Sequence, residues 1–286
     1  MVLLCRQEAG RIAAAAEGGT PVNETLIAVI IGIVEGLTEF LPISSTGHMI
    51  LVGSVLGFEG EKASVFEVFI QLGAILSVFI LYRDKFYRMM DFRRITSTAG
   101  LSAWHVAAGI VPVMGIGYLL HKPIKAYLFS PFTVIIGLVV GAILMLVAEK
   151  VAGRPRVKTV EDMTVSQAFW VGLFQVLSLW PGFSRSGSTI AGGLFFGLSR
   201  TAAAEFSFII AVPLMLVACV YDLLKIWSKL NTGDLTMIAI GFVVAFVVAY
   251  ISIVWFLRFL NKSTLASFAY YRFVLAAVSY WYFFMK

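Results

Sequence analysis

The sequence predicts an all-α integral membrane protein with six transmembrane helices plus two re-entrant helix-loop-helix hairpins, set out as an inverted-topology repeat. Three observations carry this. The chain is 60% hydrophobic and only 13% charged, about half the charge of an ordinary soluble domain. Its apolar runs reach the roughly 20 residues that a helix needs to cross a bilayer. One polar-broken stretch also occurs twice, with Glu35 of the first copy and Gln175 of the second 140 residues apart. Transmembrane β-barrels give short alternating segments instead, and no such alternation is present.

Taken in order, residues 1–23 read as a tail, disordered or weakly helical. Arg6, Glu8, Arg11 and Glu17 leave it without the long apolar core of a signal peptide. The first repeat covers 24–149. Its helix from 24 to 41 stops at Pro42, whose ring and missing N–H break the ladder. A second short helix fills out the hairpin 24–57. Neither helix spans alone, and a polar break at membrane depth is tolerated only where protein encloses it. Spans follow at 64–82, 103–120 and 131–148. A basic linker, 150–167, leads to the second repeat at 168–286, with a hairpin at 168–198 and spans at 205–224, 235–257 and 267–285.

The net charge of +6 does not point to nucleic acid, because the basic residues sit in short loops between apolar runs. Arg83, Lys85, Arg88, Arg93 and Arg94 follow the first span, Lys150, Arg154, Arg156 and Lys158 the third, and Arg258 and Lys262 the fifth. The positive-inside bias places all three groups in the cytoplasm. Three spans per half then make the hairpins enter from opposite sides, which is the inverted arrangement, and leave both termini outside. Cys5 and Cys219 supply neither a disulfide framework nor a metal spacing.

The chemistry is concentrated at the two breaks. The first reads Glu35-Gly-Leu-Thr-Glu39-Phe-Leu-Pro-Ile-Ser-Ser-Thr-Gly-His48. Glu35 and Glu39 share a helix face at i and i+4, and buried carboxylates in a membrane are costly enough to mark function. They suit a divalent cation, Mg²⁺ or Ca²⁺ from their oxygen-only chemistry, or a general acid/base pair. Ser44, Ser45 and Thr46 can cap the next helix, whose N–H groups would face an anion. The second break, Pro181-Gly-Phe-Ser-Arg-Ser-Gly-Ser-Thr189, adds Arg185, a bidentate fork for phosphate. Ser184, Ser186 and Thr189 stand beside it. Glu67 and Glu205 begin equivalent spans and could support the two tips. His105 reads as a packing residue, His121 as solvated, and Tyr270, Tyr271, Tyr280, Trp281 and Tyr282 as an interfacial belt.

These two motifs closely resemble the signatures of bacterial undecaprenyl-diphosphate phosphatases, the BacA/UppP family, and the likeness runs from about residue 25 to the C-terminus. The tail has no counterpart in that pattern. The resemblance implies removal of the terminal phosphate from a C55 polyprenyl diphosphate, so that the peptidoglycan carrier lipid is recycled and bacitracin, which acts on the same lipid, is resisted. It also implies a divalent metal and an inner-membrane site open to the periplasm. The other large class of membrane lipid phosphatases needs a histidine where this chain has Ala191.

Phosphoryl transfer needs an attacking group in line with the leaving group and cations on the equatorial oxygens. Ser45 is the candidate nucleophile with His48 as its base. His48 itself or a metal-activated water are the alternatives. Arg185, Ser184, Ser186, Thr189 and Thr46 would hold the phosphates, and Glu35 and Glu39 the metal. The contrasting reading is a transporter or flippase of a lipid phosphate, since inverted repeats with broken helices are also a transporter signature. Membrane lipids are the other expected partners, and a homodimer is left open.

Overall fold

The computed structural model describes residues 24–90, 100–128, 130–226 and 234–285. The expectations for the tail and for Arg93 and Arg94 fall outside these residues. Among the described residues the protein is all helical, with an isolated parallel bridge between Val157 and Leu198 as its extended contact.

The first broken pair is α1 (Glu24–Thr38) and α2 (Ser45–Val55). α1 ends earlier than Pro42 alone would dictate. The Thr38 hydroxyl donates back to Val34 O at 2.7 Å, a local bond that competes with the helix. Residues 39–43 then turn. Glu39 N–H still reaches Glu35 O at 3.0 Å, so the two carboxylates keep their shared face. α3 (Gly60–Leu81) crosses back, and the short α4 (Arg83–Met90) follows it. α5 (Ala103–Leu119) is followed by the short α6 (His121–Tyr127). α7 (Pro131–Val151) starts on a Ser130 cap with proline in the first turn. Neither short helix was legible beforehand, because each is too brief and too polar to show an apolar period.

The second broken pair is α8 (Val165–Gln175), extended by a 3-10 turn at Val176–Leu179, and α9 (Arg185–Phe195). α8 begins three residues before the expected 168 because Thr164 and Gln167 form a capping box. α10 (Arg200–Ile226) begins five residues before the expected 205, since Ser199 Oγ accepts the Ala202 N–H at 3.1 Å. α11 (Leu235–Leu260) and α12 (Ala266–Phe284) complete the chain.

Among the described residues four helices are long and apolar enough to cross a membrane: Gly60–Leu81, Pro131–Val151, Arg200–Leu224 and Leu235–Leu260. The other two expected spans are shorter or more polar. α5 has 17 residues with Pro112 inside it, and α12 carries the buried Arg272.

Small residues set how the helices meet. α11 packs on α1 and α3, and α5 packs on α8. Gly32 and Gly36 on α1 bring its backbone against Gly241 and Ala245 of α11, and a Cβ at Gly36 would lie 2.8 Å from Ala245 O and Val248 Cβ. This is small-residue packing of the kind membrane helices use in place of hydrophobic drive. Gly172 of α8 meets the Gly109 backbone of α5 in the same way. Gly36→Val should therefore lower the melting temperature in detergent, at an overpacking cost of about 1–3 kcal/mol. Gly115→Val, with nothing within 4 Å, should not. Equal melting of the two variants would remove the close-packing role.

Candidate active site

The tips of the two broken pairs meet in a pocket of about 270 Å³, lined among others by Glu35, Glu39, Ser44, Ser45, Thr46, Glu67, Gln71, Ser184, Arg185 and Asp222. Two serines shape it. Ser44 (φ 70°) and Ser184 (φ 75°) are the described non-glycine residues with positive φ, a conformation that costs about 1–3 kcal/mol and persists where surrounding structure enforces it. Each is the N-cap of the next helix, and its Oγ accepts the N–H of Gly47 or Gly187. The residue following each one is thereby thrown into the pocket: Ser45 from the first pair, Arg185 from the second.

Glu39 joins them. The Ser45 hydroxyl donates to Glu39 Oε2 at 2.6 Å, and Arg185 Nη2 pairs with Glu39 Oε1 at 3.3 Å. Arg185 is held on its other side by Ser207, whose carbonyl accepts from Nη1 at 3.0 Å, and its guanidinium lies 5.5 Å over the Phe40 ring. Ser207 carried no sequence signal, since it sits within a helix 22 residues from Arg185. Glu35, 4% exposed, has an Oε1 without a hydrogen-bond partner among the described residues. Glu67 faces the same pocket, a role the sequence suggested only as support. Glu205, its counterpart, instead pairs with Lys85 at 3.2 Å.

Several expected roles change in the fold. His48 does not reach Ser45. Its Nδ1–H donates to Ser44 O at 2.8 Å, and its Nε2 meets the Tyr271 hydroxyl at 2.7 Å. Both ring nitrogens are therefore engaged, and the acceptor for the Ser45 proton is Glu39. Ser186 and Thr189 do not line the pocket. The Ser186 hydroxyl donates to Leu41 O at 2.9 Å, stitching the two tips together, and Thr189 Oγ1 lies 2.6 Å from Ser207 Oγ. Both brace the wall that carries Arg185. Tyr271, read as an interfacial aromatic, has a specific partner in His48. His105 is the packing residue expected, accepting from Ser102 N–H and donating to Met163 O at 2.9 Å. His121 is exposed.

Arg272 is fully buried and satisfied largely by carbonyls. Its Nε donates to Leu138 O at 3.1 Å, and its Nη2 to Gly137 O at 3.1 Å and Gly182 O at 2.9 Å. It ties the Pro181-Gly182 turn to α7, which no local pattern announces.

A divalent cation fits the donor chemistry of this pocket. The lining is oxygen-rich, it sets four carboxylates against one guanidinium, and the buried Glu35 Oε1 awaits a partner. Among the described residues no three His, Cys, Asp or Glu side chains converge as a metal-binding group. A hard cation here would thus complete its shell with water and ligand oxygens, as Mg²⁺ commonly does.

Comparison with known proteins shows the family. A profile of the family described as "Bacitracin resistance protein BacA" matches residues 28–278. Undecaprenyl-diphosphatase 1 of Bacillus thuringiensis (strain Al Hakam) is 50% identical over 255 residues, 89% of this chain and 96% of the relative. Undecaprenyl-diphosphatase 1 of Bacillus anthracis has the same identity and coverage. With both polar breaks, Glu35 to His48 and Pro181 to Thr189, inside the matched region, the chain belongs to the bacitracin resistance protein BacA family.

Proposed function

We propose that the protein is a membrane-embedded undecaprenyl-diphosphate phosphatase, releasing inorganic phosphate and undecaprenyl phosphate and so recycling the peptidoglycan carrier lipid and conferring bacitracin resistance. The relatives named undecaprenyl-diphosphatase support the substrate. The observation that carries the chemistry is the Ser45 hydroxyl held 2.6 Å from Glu39, with Arg185 on that carboxylate's other oxygen.

In this reading Ser45 Oγ attacks the terminal phosphorus while its proton passes to Glu39 Oε2, which hands it to the departing undecaprenyl phosphate as the P–O bond breaks. Glu39, again a carboxylate, then takes a proton from the water that attacks the phosphoserine and delivers it to Ser45 Oγ as phosphate is freed. Arg185 binds the equatorial oxygens where charge accumulates, and Thr46 and Ser184 lie beside them. Glu35, with Glu67 alongside, would hold the divalent cation, since both Glu39 oxygens are already engaged. When bound, the cation supplies neutralisation of diphosphate charge in a pocket that is itself acidic. A volume of about 270 Å³ accommodates a headgroup rather than a C55 chain, given that drug-sized ligands fill roughly 300–1,000 Å³. The chain would remain in lipid.

Six spans with two re-entrant hairpins in inverted repeat remain the arrangement we assign, over repeats 24–149 and 168–286 and the linker 150–167. The paired packing of α11 on α1 and α5 on α8 and the matched Ser44 and Ser184 caps support it. We assign it to the inner membrane with the pocket toward the periplasm, a reading supported by the basic loops, which the positive-inside bias sets in the cytoplasm. Labelling tests this. In a Cys5→Ser background, Arg154→Cys should react with an impermeant maleimide only after permeabilisation. Ready labelling of intact cells would reverse the topology.

The function is tested by phosphate release from farnesyl or undecaprenyl diphosphate by purified protein in detergent, without any gradient. Release should occur and should fall at least about tenfold with chelator, recovering with Mg²⁺ or Ca²⁺. Release unchanged by chelator would remove the cation. Absence of release would favour transport of a lipid phosphate.

A further inference from the structure

From the contacts around the strained turn we infer that Tyr271 and His48 act together as a positioning pair, holding the Ser44 carbonyl and through it aiming Ser45. This deepens the proposed phosphatase reading and rests on it. Ser44 has φ 70° and ψ 94°, outside the common left-handed well. Small relaxation there would swing the adjacent Ser45 off Glu39. The carbonyl of Ser44 accepts the His48 backbone N–H at 3.4 Å, a weak bond, and the His48 Nδ1–H at 2.8 Å, a good one. A carbonyl only accepts, so Nδ1 must carry the proton. In the neutral ring Nε2 is then the acceptor for the Tyr271 hydroxyl at 2.7 Å, which sets the tautomer. The two rings also stack, 5.6 Å apart and 5° from parallel.

The molecule contains its own control. The second turn repeats the geometry, with Ser184 at φ 75° and its carbonyl accepting the Ser188 N–H at 3.0 Å. There the residue matching His48 is Ser188, whose hydroxyl goes to Arg185 O instead. The turn therefore forms without an imidazole clamp. The clamp is present in the copy that presents the nucleophile and absent in the copy that presents Arg185, which Ser207 and Glu39 already hold.

The test uses the full chain in detergent with undecaprenyl diphosphate. Tyr271→Phe keeps the ring and its stack and removes one hydroxyl. It should lower kcat about fivefold with KM changed less than about twofold, the loss of roughly one hydrogen bond's worth of positioning. His48→Leu should lower kcat at least about tenfold. His48→Asn should recover most of that loss, because its amide N–H lies the same number of bonds from Cα as Nδ1–H. Adding Tyr271→Phe to His48→Leu should cost nothing further. His48→Asn as inactive as His48→Leu would make the imidazole itself chemical, and wild-type kcat in both Tyr271→Phe and His48→Leu would dismiss the pair. Independently of turnover, ¹⁵N-histidine spectra should show His48 as the Nδ1–H tautomer, perturbed by Tyr271→Phe. An Nε2–H tautomer overturns the inference even if the wild type releases no phosphate, a result that would by itself refute only the phosphatase reading.

Discussion

Ser45→Ala should reduce phosphate release by about 10³-fold or more, as removal of a covalent nucleophile does, while substrate affinity stays within about twofold. The substitution is clean for a structural reason. The helix cap is Ser44, whose Oγ accepts the Gly47 N–H, so alanine one residue later leaves α2 capped. What is lost is the hydroxyl on Glu39 Oε2, and melting should shift only modestly. Stopped turnover with substrate still retained, measured by phosphate release and equilibrium binding, fits the serine. Near-normal turnover in Ser45→Ala together with a trappable phosphohistidine in the wild type would show the assignment to be wrong.

Glu39→Gln should lower kcat by about 10²–10⁴, the range for loss of a general base, and excess Mg²⁺ should not restore it. An amide keeps one acceptor oxygen for Arg185 but presents N–H to Ser45, so the serine proton has nowhere to go. Because Arg185 keeps that acceptor and its Ser207 bond, destabilisation should stay below the roughly 3–5 kcal/mol of a broken buried pair. Glu35→Gln should behave differently. It removes the carboxylate with the unpartnered oxygen, so activity should fall with a raised metal requirement. Rescue of Glu39→Gln by added metal would exchange these two roles.

The sequence alone determined the class of the molecule and singled out the two motifs that line the pocket. Apolar runs and basic loops report partition into lipid, which depends on composition along the chain rather than on contacts. The two motifs announce themselves because carboxylates, prolines and hydroxyls are expensive in an apolar segment unless used. Helix boundaries were legible to within a few residues, and missed where a cap acted upstream, as Thr164 and Ser199 do.

Only the tertiary structure decided who partners whom. Ser45 lies six residues from Glu39 and three from His48, and helical spacing favoured the histidine. The positive φ of Ser44, invisible in any propensity, turns the hydroxyl toward the carboxylate and leaves the imidazole behind the turn. Ser207, Tyr271 and Arg272 act across separations of 22, 223 and 90 residues, on Arg185, His48 and Gly182. Such contacts exist because helices far apart in sequence pack side by side, and nothing in the local pattern of either partner encodes the other.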